Sequence, residues 1–174
     1  MNLLLRFFSL LLLGRFRSRV PALGPCRTPF RVMPTDLDVL LHVNNGVYLS
    51  MTDLARVDLM QRSGLAGVVK SRGWYPVVVA QTIQYKRSLK LFERFEIVTR
   101  VLAWNEKAIL LEHRFERAGE TVAYGLIRAR FLSRAGGTVS INDLIAVAGS
   151  PPPPIDVPEY ALRWNAEQEQ WHGA

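Results

Sequence analysis

The chain is short of the residues that most often announce chemistry. Its 174 residues contain one cysteine, Cys26, which excludes an internal disulfide framework. That lone thiol reads as a small apolar side chain rather than a nucleophile. No Cys/His cluster has the spacing of a zinc site. There is no Gly-rich phosphate loop, no dinucleotide fingerprint and no internal repeat. No clean apolar run reaches the roughly 20 residues that a membrane-spanning helix needs. Acidic residues are missing from the first 35 positions altogether.

That last absence explains most of the charge. The net charge of +7 is concentrated in Arg6, Arg15, Arg17, Arg19, Arg27 and Arg31. Residues 36–174 carry 16 basic against 15 acidic side chains and are close to neutral. A basic tail on a neutral body argues against a nucleic-acid partner. With 49% hydrophobic residues the chain has ample material for one core.

The beginning, Met1 to Leu13, is apolar with Arg6 inside it, and arginines follow. Three readings stand side by side: an interfacial helix on anionic lipid, a targeting peptide without a clear cleavage site, and a helix docked on the body or a partner subunit. Pro21 to Pro29 reads as a linker and Phe30–Met33 as a short strand. Asn45 to Gln61 has helical spacing, with apolar residues around more than one face, as in a helix buried on several sides. Asp58 and Arg62 are spaced as a helix pair. Gly64 and Gly67 read as stop signals. Four strands are predicted next, around Val77–Tyr85, Phe95–Val101, Ile109–Glu116 and Val122–Leu132, joined by short turns and so antiparallel. A short helix is expected over 142–148, an extended proline segment at 151–154, and a tail with Trp164 and Trp171 lying on the surface or on a neighbour. The fold class is α+β: one long helix wrapped by a curved antiparallel sheet. An open sheet has edges, and a second subunit would cover one. The chain divides into an N-terminal segment (1–24), a main domain (25–150) and a C-terminal tail (151–174).

Polar chemistry is crowded into Asp36–Tyr48. Two carboxylates, Asp36 and Asp38, His42 and the amides Asn44 and Asn45 stand directly before the helix. Asn44 or Asn45 can cap it. A helix start supplies bare N–H donors, and a carboxylate and an imidazole beside them suit a carbonyl substrate.

Thr35-Asp36-Leu37-Asp38, then His42-Val43-Asn44-Asn45 and Tyr48, resembles the signature of hotdog-fold acyl thioesterases, the 4-hydroxybenzoyl-CoA thioesterase-like enzymes. With Asp53-Leu54-Ala55-Arg56, the run is most similar to the branch that contains thioesterase superfamily member six. The likeness spans roughly residues 28–165 and omits the N-terminal helix. It implies a helix wrapped by a sheet, in dimers or tetramers with the active site between subunits. It also implies hydrolysis of a fatty or aromatic acyl-CoA, or of an acyl carrier protein thioester, with no cofactor and no metal. By the resemblance, Asp38 is the catalytic nucleophile or base and His42 supports it. Asn44, Asn45, Gly46 and Tyr48 are placed on the substrate side, Asn44 and Asn45 also fixing the loop and capping the helix, and Tyr48 as a core or pocket-wall residue rather than an acid. Lys86, Arg87 and Lys90 are candidates for the phosphates of coenzyme A, or a solvated sheet end. His113 reads as structural.

One departure matters. The plant acyl-carrier-protein thioesterases carry Asn two residues after the aspartate, where this chain has Leu40. The alternative reading is therefore a non-catalytic acyl-CoA or lipid-binding protein at a membrane surface. Either way the expected setting is the cytoplasm, with peripheral membrane contact through residues 1–20 as one of the three readings of that segment.

Overall fold

The computed structural model describes residues 3–14, 16–154 and 156–171. Arg15 of the basic cluster and the last three residues of the expected tail lie outside these. The described elements are α1 (Leu3–Gly14), β1 (Cys26–Arg31), α2 (Asn45–Arg62), α3 (Leu65–Ser71), β2 (Trp74–Tyr85), β3 (Arg94–Trp104), β4 (Ile109–Arg117), β5 (Glu120–Ser133), β6 (Thr138–Val139), α4 (Ile141–Val147) and α5 (Glu159–Trp171).

The centre is α2, which begins where the sequence expects it. Asn44 is the cap, its Oδ1 accepting from the Gly46 N–H at 2.9 Å. Tyr48, Met51, Leu54, Ala55 and Leu59 are buried along it. Met51 and Ala55 pack with Phe95, Ile97 and Phe115 of the sheet, and Leu59 with Ile109, Leu111 and Phe131. A helix apolar on several sides is stable only when wrapped, and the antiparallel sheet wraps it. This is the hotdog arrangement.

Gly64 does stop α2, but it adopts φ +84° and starts a further short helix, α3, which contains Gly67. The sheet order is β1-β3-β4-β5-β2. The strands are antiparallel as predicted, yet β2 does not neighbour β3. It crosses to pair with β5, Val77 opposite Arg130 and Tyr85 opposite Ala123. Sequence adjacency suggested a simple meander, and the 86–93 connection instead spans the sheet. β1 begins at Cys26, earlier than the linker reading allowed, and Pro29 lies inside it. Pro76 lies inside β2. Both strands are edges, where a missing N–H costs no ladder bond.

The two ends of the chain are docked. α1 packs against α2, the contact that one of the three readings of the N-terminus expects. Two arginines hold this segment. Arg6 donates to Asp36 Oδ2 at 2.6 Å and Arg17 to Asp58 Oδ2 at 2.7 Å. The expected Asp58–Arg62 pair exists at 3.4 Å, but it is buried and shares Asp58 with Thr28 and Cys26. The expected tail folds as α5. Its Ala161 and Trp164 pack with Leu102, Leu110 and Leu126. These strand residues alternate with the Ile109 and Leu111 that face α2, so α5 covers the far side of the sheet.

Candidate active site

The polar motif folds as a tight loop leading into α2. Leu37 bridges to Val43, and the Asp38 N–H donates to the His42 carbonyl at 2.8 Å. Asp38 Oδ1 then accepts from the Leu40 N–H at 2.9 Å and the His42 N–H at 3.3 Å. The closing residue Leu41 takes φ +59°. The carboxylate is thus fixed by two backbone donors from its own loop. Val39 at the tip is 97% exposed, and Leu40 and Leu41 are exposed beside it.

This loop changes several assignments. It is the backbone of His42, not its imidazole, that holds Asp38. The side chain of Leu40 points into solvent while its N–H orients the carboxylate. Asp36 is a buried anchor. Its Oδ2 accepts from Met33 N–H at 2.7 Å as well as Arg6, and its carbonyl accepts from the Asn44 N–H at 2.8 Å.

The helix start is also partly occupied. The Gly46 N–H is committed to Asn44 Oδ1 and the Val47 N–H to the Asn44 carbonyl, and among the described residues the Asn45 N–H donates to no acceptor. Asn44, Asn45 and Gly46 are exposed. The Asn45 carbonyl accepts from the Tyr85 hydroxyl at 3.2 Å. Tyr48 does not belong with these three. It is 3% exposed and packs edge-on to Tyr85 and against Phe115, with its hydroxyl at the Leu89 backbone. It is a core residue, out of reach of a ligand in the protomer, because helical spacing turns it towards the sheet. Arg87 pairs with Glu120, while Lys86 and Lys90 are exposed, Lys90 bridging to His42 through the backbone.

The structure also assembles a group that the sequence does not announce. His113 is fully buried in β4, with Nδ1 2.9 Å from Thr99 Oγ1 and Nε2 3.3 Å from Arg56 Nη1. Arg56 can only donate, so Nε2 accepts and Nδ1 carries the proton towards Thr99. Burial, and then the Arg56 charge, hold the imidazole well below its usual range. Arg56 also pairs with Asp53. The partners are 57 residues apart and share no motif, so only the spacing of Asp53 and Arg56 in α2 could have hinted at them. The structural reading of His113 stands.

Asp53 and Arg56 border an apolar cavity of about 320 Å³ between α2 and the sheet, lined by Val57, Met60, Val77, Ile109, Phe131 and Leu144 among others. Its α2 residues lie eight or more positions beyond Asn45. At about 1.5 Å per residue that is at least roughly 12 Å from the helix start. Within one protomer the cavity and Asp38 are therefore separate. Among the described residues no group of His, Cys, Asp and Glu could hold a metal ion. Cys26 is buried, and desolvation and the nearby Asp58 push its thiol up to about 11, which makes it a poor nucleophile.

A family model described as the thioesterase-like superfamily matches residues 32–164. The chain is 49% identical to protein THEM6 of Xenopus laevis over 84 residues, 48% of this chain and 41% of that protein. It is 40% identical to protein THEM6 of Danio rerio over 104 residues, 60% of this chain and 50% of that protein. The chain thus matches about half the length of these curated relatives or less. Among solved structures, a probable thioesterase from Escherichia coli, YbaW, superposes with a TM-score of 0.65 at 26% identity, covering 69% of this chain and 93% of that one. A gentisyl-coenzyme A thioesterase superposes with a TM-score of 0.64 at 21% identity, covering 70% and 99%, a likeness of fold.

Proposed function

The chain belongs to the thioesterase-like superfamily, and from that premise we propose that it hydrolyses the thioester of a fatty or aromatic acyl-CoA, or of an acyl carrier protein, to free acid and thiol. The observation that carries this reading is the Asp38 carboxylate, held by two backbone N–H groups beside the open end of α2. These donors fix the orientation of the carboxylate, which a base or nucleophile requires. In the proposed reaction Asp38 takes a proton from a water molecule that attacks the thioester carbonyl, or attacks the carbonyl itself to form a mixed anhydride that water then hydrolyses to the free acid. The Asn45 N–H, at the positive end of the helix dipole, offsets the charge that develops on the carbonyl oxygen. The thiolate then leaves. Asn44 maintains the cap, and His42 contributes the peptide that fixes Asp38.

The acyl group is assigned to the apolar cavity, and its distance from Asp38 within one protomer is the reason we assign the complete site to two copies. β2 is a sheet edge, with Tyr75, Val78 and Tyr85 about 40% exposed along it. Pairing of two β2 edges would bury this apolar strand and bring the cavity of one copy towards the loop of the other.

The test is thiol release from short, long and aromatic acyl-CoAs by wild type and Asp38→Asn. The expected loss in kcat is about 10² to 10⁴. Full activity in the variant would sink the mechanism. Acyl-CoA bound without release in either protein would favour the non-catalytic reading, which the exposed apolar Leu40 at the loop tip supports.

A further inference from the structure

α1 is apolar on both sides, but only one side is covered. Its inner side meets the body: Gly14 is buried, and the Leu11 carbonyl accepts from Gln61 Nε2 at 2.8 Å. Arg6 reaches Asp36 Oδ2 and the Arg31 carbonyl from the same side. The outer side presents Leu4, Leu5, Phe8 and Leu12, each 62–69% exposed. At 3.6 residues per turn these four share an arc of roughly 100°. Leu13 and, just past the helix, Phe16 are exposed as well. Such a continuous apolar surface on a folded protein marks a contact site.

The surrounding charge decides what the contact is. Arg6 and Arg17 are matched by Asp36 and Asp58, and Arg27 by Glu96 and Glu116. Arg19 and Arg31 are both exposed, and no acid pairs with them among the described residues. Arg31 lies beside the N-terminal half of α1, which donates to its carbonyl, and Arg19 lies beyond the C-terminal end. Arg31 also stands directly opposite Arg94 in the β1–β3 register. Two like charges in that position repel unless an anion lies between or above them. The Arg31 guanidinium sits 5.1 Å from the ring centroid of Phe92, itself half exposed. An apolar strip with unpaired cations at both ends matches an anionic lipid surface. No described helix is long and apolar enough to cross a membrane. The 12 residues of α1 extend about 18 Å against about 30 Å of hydrocarbon.

We propose that α1 lies in the plane of an anionic bilayer, with Leu4, Leu5, Phe8 and Leu12 among the acyl chains and Arg19, Arg31 and Arg94 among the headgroups. The proposal does not depend on turnover, so its test is one of binding. The full chain is sedimented with phosphatidylcholine vesicles, with and without phosphatidylglycerol, beside two variants. F8E/L12E removes the apolar face and R19Q/R31Q/R94Q removes the cations. Wild type should sediment with the anionic vesicles and release in high salt. F8E/L12E should lower the partition by at least about tenfold. R19Q/R31Q/R94Q should abolish the preference for phosphatidylglycerol. Circular dichroism and thiol release without vesicles should be unchanged in F8E/L12E, since both side chains face solvent. Absence of binding by wild type would overturn the proposal, as would binding that F8E/L12E leaves intact. A wild-type oligomer that F8E/L12E dissociates, with no vesicle binding, would assign the face to a second copy and overturn it equally.

Discussion

Asp38 and His113 show two opposite ways of placing a titratable side chain. Asp38 stays in a half-exposed loop, where Leu40 and His42 offer N–H groups to its carboxylate. His113 is sealed between Thr99 and Arg56, where the neutral ring is the form that fits. The pH consequence follows from the sign of that shift. The folded imidazole takes its proton well below the value of about 6.5 expected for the unfolded chain. Below about pH 6.5 the unfolded chain binds a proton that the folded one refuses, so acid favours unfolding. Each such group steepens the fall by up to about 1.4 kcal/mol per pH unit, and contributes nothing to the slope above that range. Urea unfolding of wild type and His113→Gln between about pH 5 and 7 measures this. The variant should be less stable at neutral pH, with a shallower slope in acid. Equal slopes would show that His113 takes up its proton in the fold over the same pH range as in the unfolded chain.

Among elements, the informative contact runs from α1 to the loop before α2. Arg6 neutralises Asp36, and Asp36 in turn holds Met33 and, through its carbonyl, Asn44. A helix outside the matched family region therefore braces the cap of α2 and the loop carrying Asp38. Arg6→Ala leaves a mostly buried carboxylate with one backbone donor. The partial exposure of the pair moderates the effect. We expect kcat for thiol release to fall by roughly threefold or more, with KM less changed, because misplacement of a reacting group acts on the chemical step. Arg6→Lys should recover part of the loss. Unchanged kcat in Arg6→Ala would reduce the contact to a surface ion pair.

For the whole molecule, the separation of cavity and carboxylate is the ground of the proposed second copy. If two β2 edges complete the site, specific activity should fall on dilution as the pair dissociates. Sedimentation at the same concentrations should report the change, and Tyr75→Lys with Val78→Lys should shift it to higher concentration by placing charge on the edge. Activity per protomer that stays constant through dissociation would place the complete site in one chain.

The local features were legible because they depend on neighbours in sequence. The broad apolar pattern of α2, its Asn cap, the alternation in β4 and the crowding of polar groups before the helix each follow from short-range stereochemistry. The likeness to hotdog thioesterases rests on the same short motif. What tertiary structure decided depends on residues far apart in the chain. It carried β2 across the sheet to β5, because edge strands pair by shape and burial and not by order. It folded the expected tail into α5, since the exposed outer face of Leu102, Leu110 and Leu126 needed cover. It sealed His113 against Arg56. It gave the support of Asp38 to the peptide groups of Leu40 and His42, which no side-chain pattern can reveal, because every residue but proline carries the same N–H.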